Sequence, residues 1–333
     1  VAPVLYGVFS DFLSEGGNMQ GRKVFLIFVL TGFLATGRAG EKGQKSGFEF
    51  LRTDIGGRPA AMGGAFTAVT GDLYGIRYNP ASLVDIQDKA SFTFLDHLLD
   101  MHSGFLAVNL SSLTGKGSLA LSVAYTSYGE LKKTDIQGTE LGSFSPFDML
   151  VSATYGLVIL PELRFGVTAE FLHSKIDTYS ASALSADAGL IYRIPSQDLN
   201  IGLAIQNMGT ALQAFVDEKE KLPLAYRLGI SKRLAHLPLL LDFDVIRYAY
   251  DESDLFGGLY WALGGEFTLS EHLLLRWGYN SRGQEENVGA ASDRLSGISL
   301  GLGIRWRRFG IDYGYCDHGA LGSMNHFSIT MAL

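Results

Sequence analysis

Cysteine is almost missing from the chain: 333 residues contain one, Cys316. That excludes an intramolecular disulfide and any zinc site built from several cysteines. Charge is sparse too, at 18% of residues, and the net charge is −7 with no block of Lys or Arg. A nucleic-acid partner is excluded on that ground, because phosphate binding needs clustered cations. Long apolar runs are limited to residues 24–34, so the chain is not a helical membrane protein. Yet the mean hydropathy of +0.15 is high for a soluble protein. Low charge with 41 Gly and 12% aromatic residues fits a membrane-spanning β-barrel, whose strands need small residues and interfacial rings.

The single apolar run follows Met19-Gln20-Gly21-Arg22-Lys23 and leads into Ala35-Thr36-Gly37-Arg38-Ala39. A basic start, a short apolar stretch and a small-residue exit describe a secretory signal peptide over 19–39, cleaved after Gly37 or Ala39. It is too short to cross a bilayer as a helix, which needs about 20 residues. Residues 1–18 have no such logic and are read as a mis-annotated upstream extension, untranslated sequence read through in frame. Glu15-Gly16-Gly17 can be encoded by purine-rich codons resembling a ribosome-binding site.

From residue 90 to the end, 90–333, the hydrophobic period is two. Leu163, Phe165, Val167, Ala169 and Phe171 alternate with Arg164, Gly166, Thr168 and Glu170. Ile298, Leu300, Leu302, Ile304 and Trp306 alternate with Ser299, Gly301, Gly303 and Arg305, and 325–333 repeats the pattern. Such a strand has one apolar and one polar face. The polar face carries Arg164, Glu170, Arg227, Asp242, Asp244, Glu266, Arg276, Arg305 and Asp312, which suits a wet, charge-paired lumen. About 14 such segments are expected, the usual barrel design of short turns alternating with longer loops. The long connections are expected near 128–146, 176–182, 209–223, 250–258, 282–295 and 318–324. The resulting fold class is an all-β membrane protein, an antiparallel transmembrane barrel in outer-membrane lipid. Rings such as Tyr125, Tyr155, Tyr248, Tyr260, Trp261 and Trp306 are placed at its membrane interfaces.

Residues 40–89 break the period. Small residues crowd 56–65, and Asn79-Pro80 favours a turn with Asn79 outside the helical region. This composition suits a hatch packed inside the barrel, with Arg52, Arg58 and Asp72 paired to lumen charges. Here the sequence resembles a known family. The stretch Arg58-Pro59-Ala60-Ala61-Met62-Gly63-Gly64-Ala65-Phe66, then Asp72, then Asn79-Pro80-Ala81-Ser82-Leu83 is similar to the N-terminal signature of the PorV/PorQ family. That family is related to the FadL long-chain fatty acid transporters. The resemblance implies a 14-stranded barrel with an internal hatch, and Arg52, Gly56, Arg58, Gly63, Gly64, Asp72, Asn79, Pro80 and Ala81 as its motif. It also implies either passage of hydrophobic small molecules or binding of secreted proteins for type IX secretion.

Enzymatic signatures are thin. Gly56–Gly64 lacks the Lys-Ser/Thr ending of a phosphate loop. Gly297-Ile298-Ser299-Leu300-Gly301 has the nucleophile-elbow spacing, but Ser299 sits in strand alternation instead of a strand-to-helix turn. No His-Glu-x-x-His occurs and the 7 histidines are scattered, so no cofactor or metal is expected. One constellation stands apart: Asp96-His97 and Asp317-His318 fall in the first and last outer loops, which barrel closure makes neighbours. Clustered Asp and His can activate water, so an outer-membrane hydrolase stands as a third reading.

Overall fold

A computed structural model of the chain describes residues 47–87, 89–97, 100–111, 117–216, 219–249, 258–286 and 288–333. The upstream extension, the signal peptide and residues 40–46 of the expected hatch lie outside them.

Sixteen strands run in chain order: β1 (Lys89–Asp96), β2 (His102–Asn109), β3 (Ser118–Ser127), β4 (Leu131–Thr134), β5 (Glu140–Phe144), β6 (Phe147–Leu160), β7 (Leu163–Ile176) and β8 (Tyr179–Ile194). They continue as β9 (Leu199–Gln213), β10 (Ala225–Arg233), β11 (Leu239–Tyr248), β12 (Leu259–Thr268), β13 (Leu273–Asn280), β14 (Ile298–Trp306), β15 (Phe309–Asp317) and β16 (Ser323–Ala332). Fourteen of them close an antiparallel barrel, each beside its chain neighbour, with β3 pairing β6 and β1 pairing β16. Closure leaves no unpaired edge, the condition for a sheet to stand in hydrocarbon where water cannot satisfy the backbone.

The alternation decides which face is which. Phe92, Phe94, Leu106, Leu121, Phe171, Leu300, Leu302, Ile304, Ile311, Phe327 and Ile329 are large, apolar and exposed on the outer wall. Their strand neighbours Ser91, Thr93, Thr168, Glu170, Ser299, Asp312 and Ser328 are buried inside. A water-soluble barrel would reverse this pattern, so the outer wall is a lipid-facing surface.

Four features depart from the sequence reading. The connection expected at 176–182 is a tight hairpin, because β7 and β8 pair as far as Ile176↔Tyr179. Asp177 makes the turn at φ 53, a left-handed conformation that Asp tolerates. The loop expected at 209–223 is shortened, since β9 runs to Gln213. The 128–146 loop contains a hairpin of its own, β4–β5, tied to the β7–β8 turn by a Lys133–Asp177 ion pair. Finally, Tyr248 and Tyr260 are not interfacial: both are buried in the lumen, packed edge to face with centroids 5.9 Å apart. Their parity along β11 and β12 matches the inward residues Ile246 and Ala262.

Residues 47–87 fill the lumen. They form a 3-10 turn at Glu49–Arg52, a short helix α1 (Gly57–Ala61) and 3-10 turns at Leu73–Arg77 and Pro80–Asp85. Met62, Phe66, Leu73, Tyr74 and Leu83 are fully buried, each contributing about 1.5–3 kcal/mol by burial. One half of the lumen is apolar. There Phe48, Leu51, Ile55, Leu73, Ile76, Leu83 and Ile86 pack against Phe105, Ala120, Ala124, Leu150, Leu172 and Ala183 of β2, β3, β6, β7 and β8. The other half, β10 to β15, holds most of the charges.

Candidate functional site

The hatch is seated on glycines that the sequence reading did not single out. Inward-facing glycines sit opposite each other as Gly166↔Gly189, Gly202↔Gly229, Gly264↔Gly278 and Gly301↔Gly314. A Cβ on Gly264 would lie 2.6 Å from the Met62 carbonyl oxygen, and one on Gly314 2.6 Å from that of Gly57. At Gly166, Gly202, Gly264, Gly278 and Gly314 the space is taken by hatch backbone, and at Gly189 by the Asn79 side chain. The signal was present as glycine on the polar face of several strands, but only the hatch gives it meaning.

Charges then fasten the hatch. Arg58 on α1 makes a two-pronged contact with Glu266 of β12, with Nε to Oε2 at 2.7 Å and Nη2 to Oε1 at 2.8 Å. Its Nη1 donates to Asp72 at 3.0 Å. Burial opposes the charged form of Arg58, but the Glu266 and Asp72 carboxylates outweigh it and hold its pKa above the ordinary range. Glu266 also accepts from Arg276 Nε at 2.7 Å; Arg276 reaches Asp312, which pairs with Arg305 at 2.9 Å. Asp244 accepts from the backbone amides of Phe66 and Thr67, both at 3.0 Å. Arg227 donates to the Gly64 carbonyl at 2.8 Å. Glu170 accepts from Arg77 at 2.7 Å and Arg164 from β7 holds Asp85 at 2.6 Å. Asp242 is buried opposite Ser231.

The charged lumen face is therefore charge-paired, largely with the segment that fills the lumen. Arg77 and Asp85, the hatch partners of Glu170 and Arg164, were not marked in the sequence because nothing local distinguishes them. Arg52 is placed differently from expectation: it pairs with Glu49 at 3.1 Å within its own turn and lies 4.1 Å from the Tyr248 ring centroid.

The motif residues have separate tasks. Gly63 and Gly64 both have positive φ, 64° and 75°, turning the chain from α1 toward Phe66. Gly56, at φ 95, precedes α1 beneath the Tyr74 ring. Asn79 is extended at φ −158, as its following Pro80 requires. Its Oδ1 accepts from the Ala81 amide at 3.0 Å, and its Nδ2 donates to the carbonyls of Thr67, Leu190 and Leu203. One buried amide thus ties two hatch segments to β8 and β9.

Two cavities flank the hatch. At the end with the longer loops, a cavity of about 220 Å³ is lined by Arg52, Asp54, Arg227, Tyr248, Tyr260, Asn280, Arg282, His318 and His326 among others. Burial pushes the Asp54 carboxyl above the ordinary carboxylate range, against the pull of Arg227. At the opposite end, a cavity of about 210 Å³ lies beside Arg58, Arg193 and Arg233.

Barrel closure brings the Asp96-His97 and Asp317-His318 couples near one another, close enough for the His318 charge to act on His97. Asp96 lies 3.3 Å from His102, and His97 Nε2 bonds Ser103 Oγ at 2.7 Å. Asp317 accepts from Tyr315 Oη and the Gly319 amide, and no metal-holding cluster occurs among the described residues. Burial lowers the His97 imidazole from 6.5 to about 4. A depressed folded-state pKa contributes stability above 6.5 that is lost as pH falls through about 4. We expect the His97 ring, followed by NMR, to titrate near pH 4; titration near 6.5 would contradict this buried tie.

No family model matches the chain, and no curated protein does. Solved structures do share its fold. The CymD monoaromatic hydrocarbon channel is 13% identical at a TM-score of 0.54, over 84% of this chain and 97% of that one. The Pseudomonas putida toluene transporter TodX is 11% identical at 0.54, over 83% and 96%. A Pseudomonas aeruginosa FadL homologue is 11% identical at 0.51, over 84% and 98%. The chain shares the fold of these channels, a 14-stranded antiparallel β-barrel of the bacterial outer membrane.

Proposed function

We propose that this barrel passes small hydrophobic molecules across the outer membrane, with residues 47–87 as its gate. The apolar seam between hatch and wall carries this reading. It starts at Phe48, beside the β9–β10 loop where the Gly47 amide bonds the Lys221 carbonyl. It ends at Ile86, whose carbonyl accepts from Asn109 at the opposite rim. Hydrophobic contacts between hatch and wall therefore run over the height of the barrel. Beside it the β8–β9 ladder skips between Ala186 and Ala188. There Asn207 adopts φ 59 and its amide bonds the Asp187 carboxylate at 2.7 Å. A solute released at this bulge has a short way into lipid, so passage sideways through the wall is part of the proposal. Fold kinship with a toluene transporter and a monoaromatic hydrocarbon channel supports this solute class.

The test is toluene entry into liposomes carrying the purified barrel. Leu150→Arg and Leu172→Arg, which place charge in the seam, are expected to cut the protein-dependent rate about tenfold, the factor for 1.4 kcal/mol. A rate indifferent to both substitutions would remove the seam as the route.

A second reading, adaptor for secreted proteins as in the PorV/PorQ resemblance, draws on the β4–β5 hairpin. Its Ile136 is 98% exposed and Leu141 60% exposed, more than a solvated tip needs. Deleting 131–144 is expected to abolish co-purification of secreted proteins if this reading holds, and to leave toluene entry unchanged.

A further inference from the structure

We propose that the outer cavity is a binding site for a small organic carboxylate of about benzoate size. It stands apart from the apolar seam, on the opposite side of the lumen. One wall is aromatic: Tyr248 and Tyr260 pack edge to face and are nearly buried. Two guanidiniums converge on that wall, Arg52 from the hatch at 4.1 Å and Arg282 from the β13–β14 loop at 5.7 Å from the same Tyr248 centroid. Arg52 has Glu49 for a partner. No ion pair joins Arg282 to a carboxylate among the described residues, although its charge reaches Asp54; its backbone amide is held by Asn280 Oδ1 at 3.0 Å.

Across the cavity His326 is 1% exposed, and its Nδ1 is buried with no hydrogen-bond partner among the described residues. A buried ring nitrogen without a partner is costly, and a ligand oxygen would relieve it. The acids that face the cavity are already engaged. Asp54 accepts from Tyr78 Oη at 2.9 Å, and Asp317 from Tyr315 Oη and the Gly319 amide. The unmet demand is therefore for an acceptor oxygen at His326 Nδ1 and a counterion within reach of Arg282, beside rings that would cover an apolar body.

Size narrows the class. A cavity of about 220 Å³ is below the roughly 300–1,000 Å³ of drug-sized pockets, so a long acyl chain does not fit within it. A carboxylate between Arg52 and Arg282 would join the hatch to the wall at a point where Asn280 already holds the Gly63 carbonyl at 3.0 Å. Occupancy should therefore steady the hatch.

The experiment is calorimetric titration of the detergent-purified barrel with benzoate, toluene and dodecanoate, together with hydrogen exchange of hatch amides. Saturable benzoate binding is expected. It should weaken about tenfold or more in Arg282→Met and in His326→Phe, recover partly in Arg282→Lys, and slow exchange at residues 52–64. Toluene entry should be unaffected by Arg282→Met, so failure here and failure of the solute reading are told apart. No benzoate binding, binding unchanged in both variants, or preference for dodecanoate would each overturn the proposal. Heat-modifiable migration confirms that each variant barrel is folded.

Discussion

Replacing Gly278 by Val is expected to unseat the hatch and turn a closed barrel into a conducting one. Gly278 faces inward on β13, and any Cβ there falls inside the van der Waals envelope of the Gly63 nitrogen and Met62 carbonyl carbon. These are backbone atoms on a turn with two successive positive φ values, so they cannot swing aside as a side chain would. Overpacking of this kind costs about 1–3 kcal/mol where neighbours can relax, and here the least costly relaxation is to move the hatch. The outer strand pairing, held by Gly264↔Gly278 and Gly278↔Ser299, does not depend on the lumen being full. Single-channel recording in planar bilayers should find large, frequent openings in Gly278→Val and rare ones in the parent. Gly104, whose Cβ would meet nothing nearer than 4.0 Å, is the control, and Gly104→Ala should behave as the parent. A silent Gly278→Val barrel with intact strands would mean that the glycine seat does not hold the hatch.

The second large effect is expected at Arg58. Its guanidinium bridges Glu266 of the wall and Asp72 of the hatch, with side chains about a tenth exposed or less. Removing one partner of a buried pair leaves an uncompensated charge and costs about 3–5 kcal/mol. Arg58→Ala strands both Glu266 and Asp72, although Glu266 retains Arg276. Glu266→Gln is expected to be as damaging, because Arg58 and Arg276 lose the anion they share and keep only Asp72 and Asp312. The double variant Arg58→Met/Glu266→Gln should cost less than the sum, as contacts within one network do. Limited proteolysis within 47–87 reports hatch release, and heat-modifiable migration reports the barrel. Additive effects, or a barrel that unfolds with the hatch, would show that the pair supports the wall and not the gate.

Residues far apart in the chain make both devices, and that explains what could be read in advance. Strand alternation is local: whether Phe92 faces out and Thr93 in follows from the two-residue period alone. The alternating residues Ile298 to Trp306 therefore coincide with β14. Departures came where local pattern is silent. Ser180, Ala181 and Ser182 carry no clear alternation, yet pair with β7 because Asp177 turns the chain tightly.

Composition and period thus determined the class of molecule: a barrel with an apolar outside, a polar inside and an irregular segment before its first strand. They also singled out charged residues on the polar strand faces, because a charge on the polar face of a transmembrane strand can point only inward. Tertiary structure decided the rest. Arg58 meets Glu266 across 208 residues, and Arg52 and Arg282 meet at one tyrosine ring. No property of either residue in isolation names its partner. Closing the barrel around residues 47–87 brings them together, and the same closure converts a set of scattered glycines into the seat of that segment.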